Sequence, residues 1–156
     1  EADTADVAGR LHDAAKQRPL PELQALAENS FPVRPAPILA NGGLLHGYAA
    51  VTIAKERYGI TDPALLGAVA HHTTGAEQMS TLEKIIFLAD YIEVNRDFDG
   101  VDDLRQAARR DLDEAVRLGY DYTISHLLDQ GKPIFVGTVV NRNAQIDVVR
   151  AADGKA

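Results

Sequence analysis

An aspartate sits inside the most apolar helix-like stretch of this chain. The segment Lys84–Glu93, "KIIFLADYIE", carries Ile85, Ile86, Leu88, Ala89 and Ile92 and is apolar on most sides, so it belongs at the centre of a fold, not on its surface. Ser80-Thr81-Leu82-Glu83 opens it with the spacing of a capping box. Asp90, near its end, is costly to bury unless a cation or hydrogen-bond donor pairs with it. Whatever fold the chain adopts must place a partner there.

Four other potential metal ligands lie in similar surroundings: the adjacent pair His12 and Asp13 in "VAGRLHDAAK", His46 in "NGGLLHGYAA", and His72 in "AVAHHTTG". Taken singly, each has an ordinary reading. His46 reads as a satisfied core histidine, Asp90 as the partner of an arginine, Glu83 as a capping residue and His126 as an unremarkable surface residue. His12 and Asp13 point ~100° apart on a helix, so both reach one ion only over the helix edge, or if Asp13 bridges two ions. Of His71 and His72, the spacing does not say which points inward.

The remaining pattern is helical. A first helix is expected over Thr4–Lys16, with Val7, Leu11 and Ala14 on one stripe. A second begins near Pro21. The stretch 29–37, "NSFPVRPAP", reads as a loop because its prolines deny regular structure. A third helix runs from Gly43 to Tyr58 and stops at Gly59. A fourth opens with Asp62-Pro63, an N-cap followed by proline at the first helical position. "TTGAEQM" is a loop, and "NRDFDG" ends the Asp90 helix. A charged amphipathic helix is expected over Val101–Leu118, then another over Tyr120–Asp129. The tail "PIFVGTVVNRNAQIDVV" reads as a short extended piece and then a helix. An all-α helical bundle follows as the fold class.

The chain has 156 residues, favouring one domain. It has no cysteine, so a metal site must use nitrogen and oxygen ligands. A net charge of −7 argues against a broad nucleic-acid surface, while leaving a small anionic ligand open through local positive groups or a metal. No apolar run approaches the roughly 18 residues of a membrane span, and the acidic start lacks a signal-peptide core. A cytoplasmic protein without membrane contact is expected. The chain begins without an initiator Met and with an amphipathic pattern already under way, which suggests continuation upstream.

Taken in order, the five residues spell His-Asp, His, His, Asp on successive helices. That order resembles the ligand order of the HD superfamily of metal-dependent phosphohydrolases. The phrases "LLHG", "HHTTG", "MSTLEKIIFLADYIEVNRDFDGV" and "DLDEAV" closely resemble the YqeK family, HD-domain proteins that hydrolyse diadenosine tetraphosphate symmetrically to two ADP. The resemblance runs from about Ala8 to Asn143. It implies an HD-domain bundle with a divalent metal as two ions, iron first and manganese or zinc next. His12, Asp13, His46, His72 and Asp90 fall on the metal ligands, with Asp13 the bridge. Lys16, four residues after His12 and so on its helix face, matches the family lysine near phosphate. Thr73, Thr74 and Gly75 form a turn suited to phosphate or ribose, and Asn95 and Arg96 match the family's Asn-Arg. His71 stands where the family usually has an aromatic residue. Asp13, Lys16 and Arg96 are the expected catalytic residues, for attack of a metal-bound water on an inner phosphorus.

One departure matters. The superfamily's first ligand histidine precedes the His-Asp pair, and no histidine precedes His12. Residues 1–156 are therefore expected to be a single HD domain lacking the family's first helix, with weak metal binding or activity in this form. Other readings stay open: an HD-type nucleotidase or dNTP phosphohydrolase, a non-catalytic module binding an ADP-like nucleotide, or a purely structural helical protein. A homodimer is a further expectation.

Overall fold

The computed structural model describes residues 2–30, 38 and 40–154. Among these residues there are eight α-helices and no strand: α1 Ala2–Leu11, α2 Leu20–Ser30, α3 Gly42–Tyr58, α4 Pro63–His71, α5 Thr81–Ile92, α6 Val101–Arg110, α7 Leu112–Asp129 and α8 Val136–Ala152. The all-α expectation holds. Of the stretch 29–37 expected as a loop, Asn29 and Ser30 form the end of α2, which runs on nearly to the first proline, while Phe31 to Pro37 lie outside the described residues.

Local chemistry sets most helix boundaries. The Asp62 side chain accepts from the Ala64 N–H ahead of Pro63, and Gly59 closes α3 at φ +64°, a left-handed conformation that glycine adopts without a steric penalty. Ser80 and Glu83 form the reciprocal capping box that opens α5.

Two further boundaries differ from expectation. First, α1 stops at Leu11 and not at Lys16. The backbone tightens there into i→i+3 bonds, Ala14 N–H to Leu11 O and Lys16 N–H to Asp13 O, both at 3.0 Å. The buried stripe is Ala8, Leu11 and Ala15, while Val7 and Ala14 are exposed. Second, the break expected at Gly119 falls at Asp111. The Asp111 carboxylate accepts from the N–H groups of Asp113 and Glu114, and a side-chain cap of this kind starts a new helix outright. Gly119 instead lies inside α7 against Phe87 and Leu88, 3.2 Å from a Phe87 ring carbon at the Cβ position.

The core has two parts. Leu23, Ala27, Leu45, Ala49, Val51, Ile53, Leu65, Val69 and Ile86 belong to one, built on α1–α4. Phe87, Leu88, Leu104, Ala107, Ala115, Val116 and Tyr120 form the other, built on α5–α7. Successive residues of α5 therefore serve both, which makes it the central helix of the fold. Ile85 is the exception, 42% exposed. Each fully buried large aliphatic or aromatic side chain contributes roughly 1.5–3 kcal/mol. The last helix packs on α7 and is pinned by Arg142 Nε to Asp121 Oδ1 at 2.7 Å and Gln145 Nε2 to Asp113 O at 2.9 Å. No helix among the described residues is long and apolar enough to cross a membrane.

Candidate metal centre

Residues from four regions of the chain meet at one point. His12 and Asp13 enter from the tight turn after α1, His46 from the second turn of α3, His72 from the end of α4 and Asp90 from the last turn of α5. Ligand atoms of His12, Asp13, His72 and Asp90 lie within 4.8 Å of one another. His46 Nε2 joins them, 2.8 Å from His72 Nε2 and 3.2 Å from Asp13 Oδ1. His12 Nε2 stands 3.3 Å from Asp90 Oδ1 and 3.6 Å from Asp13 Oδ2, and His72 Nε2 3.6 Å from Asp13 Oδ1. The tightened turn solves the problem of two sequential ligands, because off the regular helix His12 and Asp13 both reach the cluster.

The donor set fits a divalent cation. Two ligands each ~2.1 Å from one ion are about 3.0 Å apart at a right angle and ~3.4 Å apart at a tetrahedral angle. The spacings seen here span that range. Hydrogen bonds set the ring orientations: His12 Nδ1 donates to Gly9 O at 2.5 Å and His72 Nδ1 to Val69 O at 2.8 Å. Each ring so held turns the Nε2 lone pair to the centre, the arrangement that metal-bound imidazoles use. Asp13 Oδ1 and His46 Nδ1 are buried without a hydrogen-bond partner. A buried carboxylate oxygen left unpaired costs on the order of 1–3 kcal/mol or more, and a cation among these nitrogens would satisfy it.

For the two carboxylates and for His46 the electrostatics point the same way. Its contact with His72, reinforced by Lys16, holds the Asp13 carboxyl well below the ordinary carboxylate value. The hydrogen bond with His12 lowers Asp90 and raises His12. Burial, together with the neighbouring His72, lowers His46. Ionised carboxylates and a neutral imidazole are what a metal ligand set requires.

Close helix approach makes the cluster geometrically feasible. A Cβ at Gly47 would stand 2.8 Å from Ala70 O, 3.0 Å from Val69 O and 3.1 Å from His72 Nδ1. Only glycine lets α3 lie that near the end of α4, and His46 next to it thereby reaches His72. The glycine inside the otherwise helical "LLHG" was the available signal for this role.

A cleft of about 410 Å³ opens onto the centre, lined by Lys16, Arg18, Leu20, Leu23, Gly42, Gly43, His46, Thr73 and Asp90. Lys16 Nζ lies 2.8 Å from Asp13 Oδ2. It contacts the residue three back, from within the tightened turn. Arg18, unassigned from sequence, reaches the cleft wall and pairs with Glu22; the basic "KQRP" following the His-Asp pair was its only signal.

The other expected site residues divide. Thr73 lines the cleft, whereas Thr74 is buried with its hydroxyl 3.3 Å from the Tyr48 hydroxyl. Gly75, at φ +63°, packs against Tyr120. Thr74 and Gly75 thus stand behind the cleft wall. Asn95 and Arg96 follow α5. Asn95 Nδ2 donates to Glu93 Oε2 at 3.1 Å and Arg96 Nε to Asp90 O at 2.6 Å. Of the histidine pair, His72 faces the centre and His71 turns away to Glu83, Nδ1 to Oε1 at 2.6 Å.

Comparison with known proteins adds an independent line. Residues 1–95 match the family described as HD domain. The symmetrical bis(5′-nucleosyl)-tetraphosphatase of Halalkalibacterium halodurans is 41% identical over 140 residues, covering 89% of this chain and 74% of that protein. The protein of the same description from Bacillus subtilis is 35% identical over 145 residues, 92% of this chain and 76% of that one. The crystal structure of a predicted HD superfamily hydrolase involved in NAD metabolism, from Clostridium acetobutylicum, superposes with a TM-score of 0.88 at 40% identity, covering 94% of this chain and 78% of that chain.

Proposed function

Because this chain belongs to the HD domain family, and within it to the symmetrical bis(5′-nucleosyl)-tetraphosphatases, we propose that His12, Asp13, His46, His72 and Asp90 hold the divalent metal with which it hydrolyses diadenosine tetraphosphate to two ADP. The carrying observation is Asp13 Oδ1, buried without a hydrogen-bond partner beside the Nε2 atoms of His46 and His72. Two ions are the favoured count, because the two oxygens of Asp13 face different neighbours, Oδ1 toward His46 and His72, Oδ2 toward His12 and Lys16. Iron is the first choice and manganese or zinc the next, since mixed imidazole and carboxylate ligands suit these ions better than magnesium. The reading treats residues 1–156 as one HD domain.

When bound, such a cation neutralises phosphoryl charge and lowers the pKa of water. The chain's own residues do the rest. Water adds to a phosphorus beside the central bridging oxygen, the P–O bond to that oxygen breaks, and two nucleoside diphosphates leave. Lys16, at the cleft wall, is placed to exchange Asp13 for a phosphate oxygen and offset developing charge. Thr73 contacts the polyphosphate or ribose from the rim, and Thr74 and Gly75 shape the turn behind it. Arg96 holds the Asp90 carbonyl and, with Asn95, would meet the substrate at the far edge, where a guanidinium can grip phosphate bidentately.

The test is product analysis by chromatography on the metal-loaded protein. Diadenosine tetraphosphate should yield ADP alone, and mononucleotides should turn over poorly. ATP with AMP would exclude symmetrical cleavage. Preferred turnover of dNTPs or nucleoside monophosphates would favour the nucleotidase reading, and tight ADP binding without turnover the binding module.

A further inference from the structure

The helix that carries Asp90 ends without a glycine. Its C-terminal residue is followed by Glu93 in an extended conformation and by Val94, 88% exposed. The last turn of a helix leaves carbonyls unsatisfied, and without a left-handed glycine cap another group must satisfy them. Here Ala89 O accepts from the Glu93 N–H and Asp90 O from Arg96, and the last carbonyl of the helix, with two of the turn beyond it, is taken by a side chain from the next helix. Arg105 of α6 donates from Nε to Ile92 O at 3.2 Å, and from Nη2 to both Glu93 O and Arg96 O at 2.9 Å. Its remaining contact, Nη1 to Asp102 at 3.1 Å, reaches a carboxylate that is 82% exposed and adds little. The three carbonyls span the end of α5 and the turn after it. Within that turn, Arg96 reaches back to Asp90 O.

We propose that Arg105 is a positioning residue for the metal centre: it clamps the C-terminal end of α5 and so holds the Asp90 carboxylate in reach of His12. The inference rests on the metal reading of the centre. Asp90 lies in the last turn, the part of a helix that frays first. Released from Arg105, that turn opens, and the 3.3 Å spacing between Asp90 and His12 goes with it. A positive group at this end also opposes the partial negative charge of the exposed carbonyls. Lysine would keep the charge but lose the planar fork that serves three acceptors at once.

The test compares Arg105→Gln and Arg105→Lys with Arg117→Gln, whose ion pairs with Glu114 and Asp121 lie within α7 and involve neither the end of α5 nor the turn after it. Manganese(II) affinity is measured by titration calorimetry on metal-stripped protein held well below its melting temperature, and amide hydrogen exchange is followed in the same samples. Both Arg105 variants should bind manganese more weakly by on the order of tenfold, with faster exchange confined to residues 90–96. Arg117→Gln should alter melting without altering affinity. Unchanged affinity in both Arg105 variants, or an equal loss in Arg117→Gln, overturns the assignment and leaves Arg105 a purely structural residue. No manganese binding by the unsubstituted chain would instead overturn the metal reading itself.

Discussion

The α-carbon of Gly47 faces the carbonyl of Ala70 so closely that a Cβ on it would lie 2.8 Å from that oxygen. This contact between α3 and α4 sets the distance between His46 and His72, and so the size of the centre. Gly47→Ala should destabilise the fold by roughly 1–3 kcal/mol, the usual range for overpacking, and should weaken metal binding besides. Urea unfolding and calorimetric metal titration measure the two effects separately. A variant that loses stability and keeps full metal affinity would show that the helix spacing does not matter to the site.

Asp13 is the residue on which the proposed mechanism depends most. Asp13→Asn keeps the shape but leaves an amide where a carboxylate should face three imidazoles and Lys16. Turnover of diadenosine tetraphosphate should fall by orders of magnitude and metal affinity by about tenfold or more, with the far-ultraviolet circular dichroism unchanged. Activity within a few-fold of the parent would remove Asp13 from the ligand set.

Thr73 and Thr74 are neighbours with opposite surroundings, one on the cleft and one buried. Thr73→Ala should raise KM with little change in melting. Thr74→Ala removes the hydroxyl shared with Tyr48 and should cost about 1 kcal/mol while leaving KM near the parent value. Steady-state kinetics beside thermal unfolding distinguish this division from the reverse.

Glu83 carries the pH prediction. Burial by itself raises its carboxyl, but hydrogen bonds from His71 and from Ser80 outweigh that and leave it below its ordinary value of 4.5. Its folded-state value is thus below the unfolded one, so the stabilisation is fully present above pH 4.5 and is lost as pH falls through the lower folded value. Glu83→Gln should be less stable than the parent at pH 7 by about 1 kcal/mol, and the gap should close as the pH drops below 4.5. Urea unfolding from pH 7 to pH 3 reads the gap directly. A gap independent of pH would mean that the Glu83 charge contributes nothing.

The parts of the fold legible in the sequence were those with a local chemical cause. Ser80 with Glu83, Asp62 before Pro63, and Gly59 each specify a boundary by hydrogen bonding or by φ, and the structure puts boundaries there. The end of α1 was not legible, because the apolar spacing of Ala8, Leu11 and Ala15 continues through the tightened turn while the hydrogen bonding changes beneath it. Gly119 misled for a related reason. Glycine reads as a breaker when its neighbours are unknown, yet here it is the surface on which Phe87 sits. The order His-Asp, His, His, Asp was readable, and its convergence was not: it depends on Gly47, on ring orientations set by the carbonyls of Gly9 and Val69, and on Arg105 reaching from another helix.

Elemental analysis of the purified protein, after anaerobic reconstitution, tests the central claim most directly. The account predicts iron, manganese or zinc at about one to two ions per chain, and its loss in Asp13→Ala and His46→Ala variants that remain folded. A folded parent chain without bound metal, or an undiminished metal content in both variants, would contradict it.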